Sequence, residues 1–164
     1  MFDLKPLTPD AIPRALDKAE RYRLLNEPAE AESICLDVLQ IEPDNQQALV
    51  LRLLALTDQF CEGLAPHRAA AQEVLLQLKG DYERAYYSGV IAEREAKAHL
   101  QHVGHSARSS ATECFQEAME FYERAERLRL AGNDDALLRW NACARQLMRL
   151  PVQVPGEPFV PMLE

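Results

Sequence analysis

Residues 15–45 restrict the fold more than any other stretch of the sequence, because they contain two helical patterns separated by a break. The first pattern carries small and bulky side chains at spacings of four, three and three: Ala15, Ala19, Tyr22 and Leu25. These spacings place the four side chains on one face of a helix. The small residues allow a neighbouring helix to approach closely, and Tyr22 is the bulky side chain that fills the gap.

The second half of the same stretch predicts a second helix that packs against the first. Residues 26–28 read Asn-Glu-Pro, and Pro28 suits the first turn of a new helix, where its missing N–H would be unpaired anyway. Pro43 ends this helix, since a proline pushes the preceding residue out of the α region. The inner face of the second helix is apolar and consists of Ala31, Ile34, Cys35, Val38 and Leu39.

Over residues 12–45 the chain resembles a tetratricopeptide repeat (TPR). That family repeats a helical hairpin about every 34 residues. Small, aromatic, small and proline residues stand at the matching positions here: Ala19, Tyr22, Ala31 and Pro43. The resemblance implies an all-α fold, a right-handed superhelix of antiparallel helical hairpins with about seven helices.

Later segments carry the repeat in a weaker form. Ala65 stands 34 residues after Ala31, but the helix predicted over residues 81–103 is longer than a repeat allows. The sequence also departs from the family at Ala15, where an aromatic is usual, and at Val38, where a small residue is usual. An ordinary antiparallel hairpin in an unrelated helical bundle is therefore the alternative.

Glycine and proline residues divide the rest of the chain into further helices. Asp44 or Asn45 is predicted to cap the third helix. The third predicted helix ends near Phe60. The next four predicted helices run from Pro66 to Gly80, from 81 to 103, from Ser106 or Ser109 to about 131, and from 134 to 150. The most regular apolar stripe lies on the predicted sixth helix, and we expect this face of the helix to lie in the protein core. The stripe consists of Ala111, Phe115, Ala118, Tyr122 and Ala125.

The sequence predicts one helical repeat domain over residues 1–150 and a tail over residues 151–164. The tail contains four prolines and cannot be helical. Either it packs along the domain through Phe159 and Val160, or it extends away from the domain.

Charge and composition argue against several classes of protein. The formal net charge is −8, which opposes nonspecific binding of nucleic acid, because such binding depends on a basic patch. The sequence contains no run of about 18 apolar residues, so it predicts no membrane span. The start, MFDLKPLTPD, lacks the form of a signal peptide. Four scattered cysteines, without a Cys-x-x-Cys pair, are interpreted as reduced thiols. We therefore expect a cytoplasmic protein.

One group of residues has the spacing of metal ligands. Glu95, His99 and His102 follow one another at spacings of four and three, so one helix face could present them to a single metal ion such as zinc. The alternative is a cluster of histidines that faces solvent. Since the chain lacks a Gly-x-Ser-x-Gly turn and a phosphate-binding glycine loop, we predict neither an enzyme nor a bound cofactor.

The resemblance to TPR proteins implies a scaffold or adaptor that binds a peptide or helix of another protein in a concave groove. In that family the first helix of each hairpin lines the groove, which here implies Glu20, Arg23, Gln47, Val50, Leu54 and Thr57. Arg52 either extends to solvent or binds a carboxylate in the groove. The alternatives are a bundle that binds a metal or small ligand near His99 and His102, and a homodimer formed through the ends of the array.

Overall fold

The computed structural model describes residues 2–150, and the chain is all-helical throughout this range. A short 3₁₀ turn, Pro9–Ala11, leads into seven α-helices. They are α1 (Ile12–Leu24), α2 (Pro28–Ile41), α3 (Gln46–Asp58), α4 (Leu64–Leu75), α5 (Asp81–Leu100), α6 (His105–Leu128) and α7 (Asp135–Arg149). The predicted all-α class and the predicted seven helices are therefore confirmed for this part of the chain. The predicted tail, residues 151–164, lies outside the described residues.

Local signals explain where the first helices begin and end. Asn26 adopts a left-handed backbone conformation with φ 60°, which asparagine tolerates better than most residues, and Pro28 then opens α2. The side chain of Asn45 accepts a hydrogen bond from the backbone N–H of Ala48 at 2.9 Å. Asn45, rather than Asp44, is thus the cap of α3.

The fourth helix is shorter than its sequence pattern predicts. It begins at Leu64, two residues before Pro66, and ends at Leu75 rather than near Gly80. Leu78 continues the apolar spacing and is 2% exposed, but it lies in the turn after the helix. Gly80 has an extended conformation and precedes α5 as its N-cap, so the prediction that it ends the fourth helix is wrong.

The α5–α6 connection is also earlier than predicted. α5 ends at Leu100 instead of Val103, and α6 begins at His105. Between them Gly104 has φ 141°, a conformation that side-chain-bearing residues rarely adopt. This glycine allows the chain to reverse direction directly before α6.

The core is divided into three clusters, each built mainly by three consecutive helices. The N-terminal cluster joins α1, α2 and α3, the middle cluster joins α3, α4 and α5, and the C-terminal cluster joins α5, α6 and α7. Ala19 and Ala31, the small residues of the TPR-like pattern, are fully buried in the N-terminal cluster, and Tyr22 packs against it. The predicted α6 stripe is fully buried, and all of its residues except Ala111 belong to the C-terminal cluster.

The third helix contributes to two clusters at once. One side of α3 supplies Ala48, Leu51 and Ala55 to the N-terminal cluster, and another side supplies Leu49 and Leu53 to the middle cluster. This explains why apolar residues surround most of the helix in the sequence. The prediction that α3 is buried between its neighbours is confirmed.

Helices that are not adjacent in the chain also pack together. Each helix contacts the next one, and α3 additionally contacts both α1 and α5. Residues from α1, α3 and α5 can therefore meet on a common surface. Among residues 2–150, no helix combines the length and the apolar character needed to cross a lipid bilayer.

Candidate functional site

Ion pairs join α1, α3 and α5 at one surface of the molecule. Asp58, the last residue of α3, accepts a hydrogen bond from Nε of Arg23 on α1 at 2.8 Å. Its other carboxylate oxygen lies 3.2 Å from Nη1 of Arg94 on α5. The three side chains are 17–30% exposed, so water screens these pairs, and each contributes about 1 kcal/mol or less to stability.

A second polar group adjoins this one between α2 and α3. Glu32 accepts a hydrogen bond from Nε2 of Gln59 at 3.0 Å and lies 3.9 Å from Nε of Arg52. Besides burial, the charges of Arg52, Glu32 and Arg23 all shift the pKa of the Cys35 thiol, so the two groups lie next to each other. We call this surface the arginine face and define it as Arg23, Glu32, Arg52, Asp58 and Arg94.

Two guanidinium groups of the arginine face are partly open to solvent, since the side chains of Arg52 and Arg94 are 23% and 30% exposed. Within residues 2–150, Nε of Arg52 and Nε of Arg94 are buried atoms without a hydrogen-bond partner. A guanidinium group carries five N–H donors in a planar fork that matches a carboxylate. The face also has one more arginine than carboxylates, although the chain as a whole has a net charge of −8. The arrangement is therefore chemically suited to a further carboxylate.

The six residues predicted to line a groove differ in their exposure. Glu20 and Gln47 are exposed. Three others are half-buried, namely Arg23, Val50 and Leu54, and Thr57 is buried. Thr57 is 2% exposed and donates its hydroxyl hydrogen to the carbonyl of Leu54, so it offers no surface to a partner. Of the six, Arg23 belongs to the arginine face.

A buried carboxylate lies one residue before Arg94. Glu93 is 1% exposed and accepts hydrogen bonds from the Tyr122 hydroxyl at 2.7 Å, from Lys97, and from Arg139 at 3.2 Å. Burial alone would raise the pKa of Glu93, but the hydrogen bonds from Lys97 and Tyr122 and the charge of Arg139 outweigh burial and lower it. Glu93 is therefore a charged group, and its hydrogen bonds join α5 to α6 and α7.

A third polar cluster lies between α4, α5 and α6. Nε of Arg68 forms an ion pair with Oε2 of Glu95 at 2.7 Å, and Nε2 of His99 lies 3.8 Å from Oε1 of the same carboxylate. A Glu95 oxygen, a His99 ring nitrogen and Sγ of Cys114 all lie within 4.8 Å of one another. The structure thus brings Glu95 and His99 together, but His102 is exposed and does not belong to the group.

The thiol in this cluster is not activated. Burial, together with Glu95 and Glu117, raises the pKa of Cys114 to about 11. At neutral pH the side chain is therefore protonated, and a protonated thiol is a poor nucleophile. On its own, Cys114 has the environment of a structural residue or of a metal ligand that loses its proton on binding.

Comparison of the chain with family models, with curated proteins and with solved structures found no match. The geometry of the arginine face and of the Glu95 cluster is consequently the basis for a functional assignment.

Proposed function

We propose that the protein is a non-catalytic interaction module, a TPR-like right-handed superhelix whose concave groove binds a peptide or helix of a partner protein. The observation that carries this proposal is the position of Asp58 between Arg23 of α1 and Arg94 of α5. The first helices of three successive hairpins thereby present polar side chains on one surface. In helical repeat proteins such a surface is the binding surface.

The division of the core supports a repeat architecture. α3 and α5 each belong to two of the three core clusters, so every hairpin is completed by its neighbour. A stack of units that contact mainly their neighbours is the defining property of a solenoid. The sequence pattern of residues 12–45 supports the same proposal.

The chemistry of the arginine face selects the kind of partner. The side chains of Arg52 and Arg94 are 23% and 30% exposed, so a partner can reach their guanidinium groups, and arginine binds carboxylates through a planar fork. We propose a partner segment that is acidic and binds through Asp or Glu side chains. The four cysteines are free thiols, which suits the reducing cytoplasm, and we propose that compartment.

The test is selection of peptide ligands from a random displayed library on the full chain. We expect the selected peptides to be rich in Asp and Glu. A charge-assisted hydrogen bond contributes about 1.5 to 3 kcal/mol, so Arg52→Ala and Arg94→Ala should each weaken binding by about tenfold or more. Arg145→Ala is the matched control, because Arg145 is exposed on α7, away from the arginine face.

Two outcomes would contradict the proposal. One is a library that yields no peptide with saturable one-to-one binding to the chain. The other is a set of peptides that bind the Arg94→Ala and Arg145→Ala variants equally well, while circular dichroism shows that both variants are folded.

A further inference from the structure

The cluster of Glu95, His99 and Cys114 combines three donor atoms of different kinds from two helices. Glu95 and His99 are four residues apart on α5, so they share a face, and Cys114 projects from α6 across the helix pair. A carboxylate oxygen, an imidazole nitrogen and a cysteine sulfur are the three kinds of donor atom that zinc sites in proteins use.

We propose that Glu95, His99 and Cys114 bind one zinc ion. Zinc is borderline in softness and accepts sulfur, nitrogen and oxygen ligands in one tetrahedral site. Magnesium and calcium prefer oxygen ligands alone, so the sulfur and nitrogen donors disfavour them. The site is separate from the arginine face and does not depend on the proposed interaction function.

The distances require only a small adjustment. Zinc bonds of about 2.0 to 2.3 Å in a tetrahedron place the ligand atoms roughly 3.3 to 3.8 Å apart. Oε1 of Glu95 and Nε2 of His99 are 3.8 Å apart. All three donor atoms lie within 4.8 Å of one another, so side-chain shifts of about 1 Å would bring them to zinc-ligand spacing.

Neighbouring groups prepare the carboxylate for binding through one oxygen. Arg68 pairs with Oε2 of Glu95, which leaves Oε1 directed towards His99. A polar partner on the remote oxygen of a ligand is the usual way in which proteins orient it. The His99 side chain is 26% exposed, so solvent water can reach the ion and complete the tetrahedron.

Binding releases a proton. Zinc binds the thiolate form of cysteine, so formation of the bond between the ion and Cys114 Sγ releases the thiol proton to solvent. The bound ion would link α5 to α6 near their connection, residues 101–104, and would hold that end of the hairpin together. Zinc should therefore raise the midpoint of thermal unfolding.

The experiment uses the full chain without an affinity tag, in a Cys61→Ser background, because Cys61 is an exposed free thiol. The protein is stripped with a chelator and titrated with cobalt(II), a coloured substitute for zinc, and with zinc in competition. We expect one cobalt ion per chain, a thiolate-to-cobalt charge-transfer band, and displacement of that band by zinc. Cys114→Ser should abolish the band, and His99→Ala should weaken binding at least tenfold.

His102→Ala is the matched control, since His102 lies in the α5–α6 connection, three residues after His99 but outside the cluster. It should keep both the band and the stoichiometry. The proposal is overturned if the stripped protein shows no charge-transfer band, if the band survives Cys114→Ser, or if His102→Ala abolishes it. Should Cys114→Ser fail to fold, as judged by circular dichroism, the comparison of His99→Ala with His102→Ala decides.

Discussion

The ring of Tyr122 lies so close to Gly89 that a Cβ atom on the glycine would come within 2.6 Å of the ring carbon Cε1. The tyrosine has no freedom to move aside, because its hydroxyl donates a hydrogen bond to the buried Glu93. The helices α5 and α6 can therefore approach this closely only because Gly89 has no side chain. The same contact positions the Tyr122 hydroxyl that donates a hydrogen bond to Glu93.

Gly89→Ala is therefore expected to destabilise the protein, although alanine is the better helix former. Replacing a mid-helix glycine gains about 1 kcal/mol, whereas overpacking a filled core costs about 1 to 3 kcal/mol. A contact of 2.6 Å places this site at the upper end of the overpacking cost, so we expect a net loss of about 2 kcal/mol, measured by urea unfolding. Ser88→Ala, at the neighbouring position, adds no atom and should stay within about 0.5 kcal/mol of the wild type. A Gly89→Ala variant as stable as Ser88→Ala would show that the helices can separate without cost.

Glu93→Gln should lower stability at neutral pH and leave it nearly unchanged in acid. The folded state holds the pKa of Glu93 below its ordinary value of 4.5. A lowered pKa contributes stability that is fully present above the unfolded value and is lost as pH falls through the folded value. The gap between wild type and Glu93→Gln should therefore be about 2 kcal/mol at pH 7 and should shrink below about pH 4.5.

Urea unfolding at a series of pH values measures this gap. Glu117→Gln, which changes an exposed carboxylate of the same kind, should give a small gap at every pH. A gap for Glu93→Gln that does not depend on pH would mean that its cost arises from packing and not from charge.

Asp58→Asn should affect the arginine face far more than it affects stability. The ion pairs of Asp58 with Arg23 and Arg94 are partly exposed, so their loss is expected to cost about 1 kcal/mol or less. Removing the carboxylate leaves both arginines available to a ligand and raises the net charge of the arginine face by one. Acidic peptides selected on the wild type should then bind severalfold more tightly at low salt, with a smaller gain at high salt.

Titration calorimetry at two ionic strengths checks this prediction, with Glu120→Gln as a control that makes the same change of charge on an exposed part of α6. Weaker binding by Asp58→Asn would indicate that Asp58 positions the arginines for the ligand. Equal gains from Asp58→Asn and Glu120→Gln would reduce the effect to net charge alone.

Signals within single helices could be read from the sequence, and signals between helices could not. Asn26 and Pro28 mark the first turn because their backbone preferences are local. Leu78 misled the prediction for α4, since burial in a turn repeats the apolar spacing of a helix. Glu93 carried a usable signal, because it lies three residues after Val90 on the apolar side of α5, where a charge must find partners.

The polar clusters show the same limit. Glu95 and His99 could be paired in advance, because the helix repeat fixes residues four apart on one face. Cys114 could not replace His102 in that group until the packing of α6 on α5 was known. Asp58 and Arg94 are likewise distant in the sequence, and only the contact between α3 and α5 brings them together.

The double role of α3 has a practical consequence for fragments of this protein. A truncated chain that began at residue 46 would lose α1 and α2 and would uncover Ala48, Leu51 and Ala55, which these helices cover in the intact protein. Such a fragment would expose a contiguous apolar surface to water and is expected to aggregate. An N-terminal truncation must therefore keep the first hairpin, and it should stop before Leu7, which packs against the N-terminal cluster.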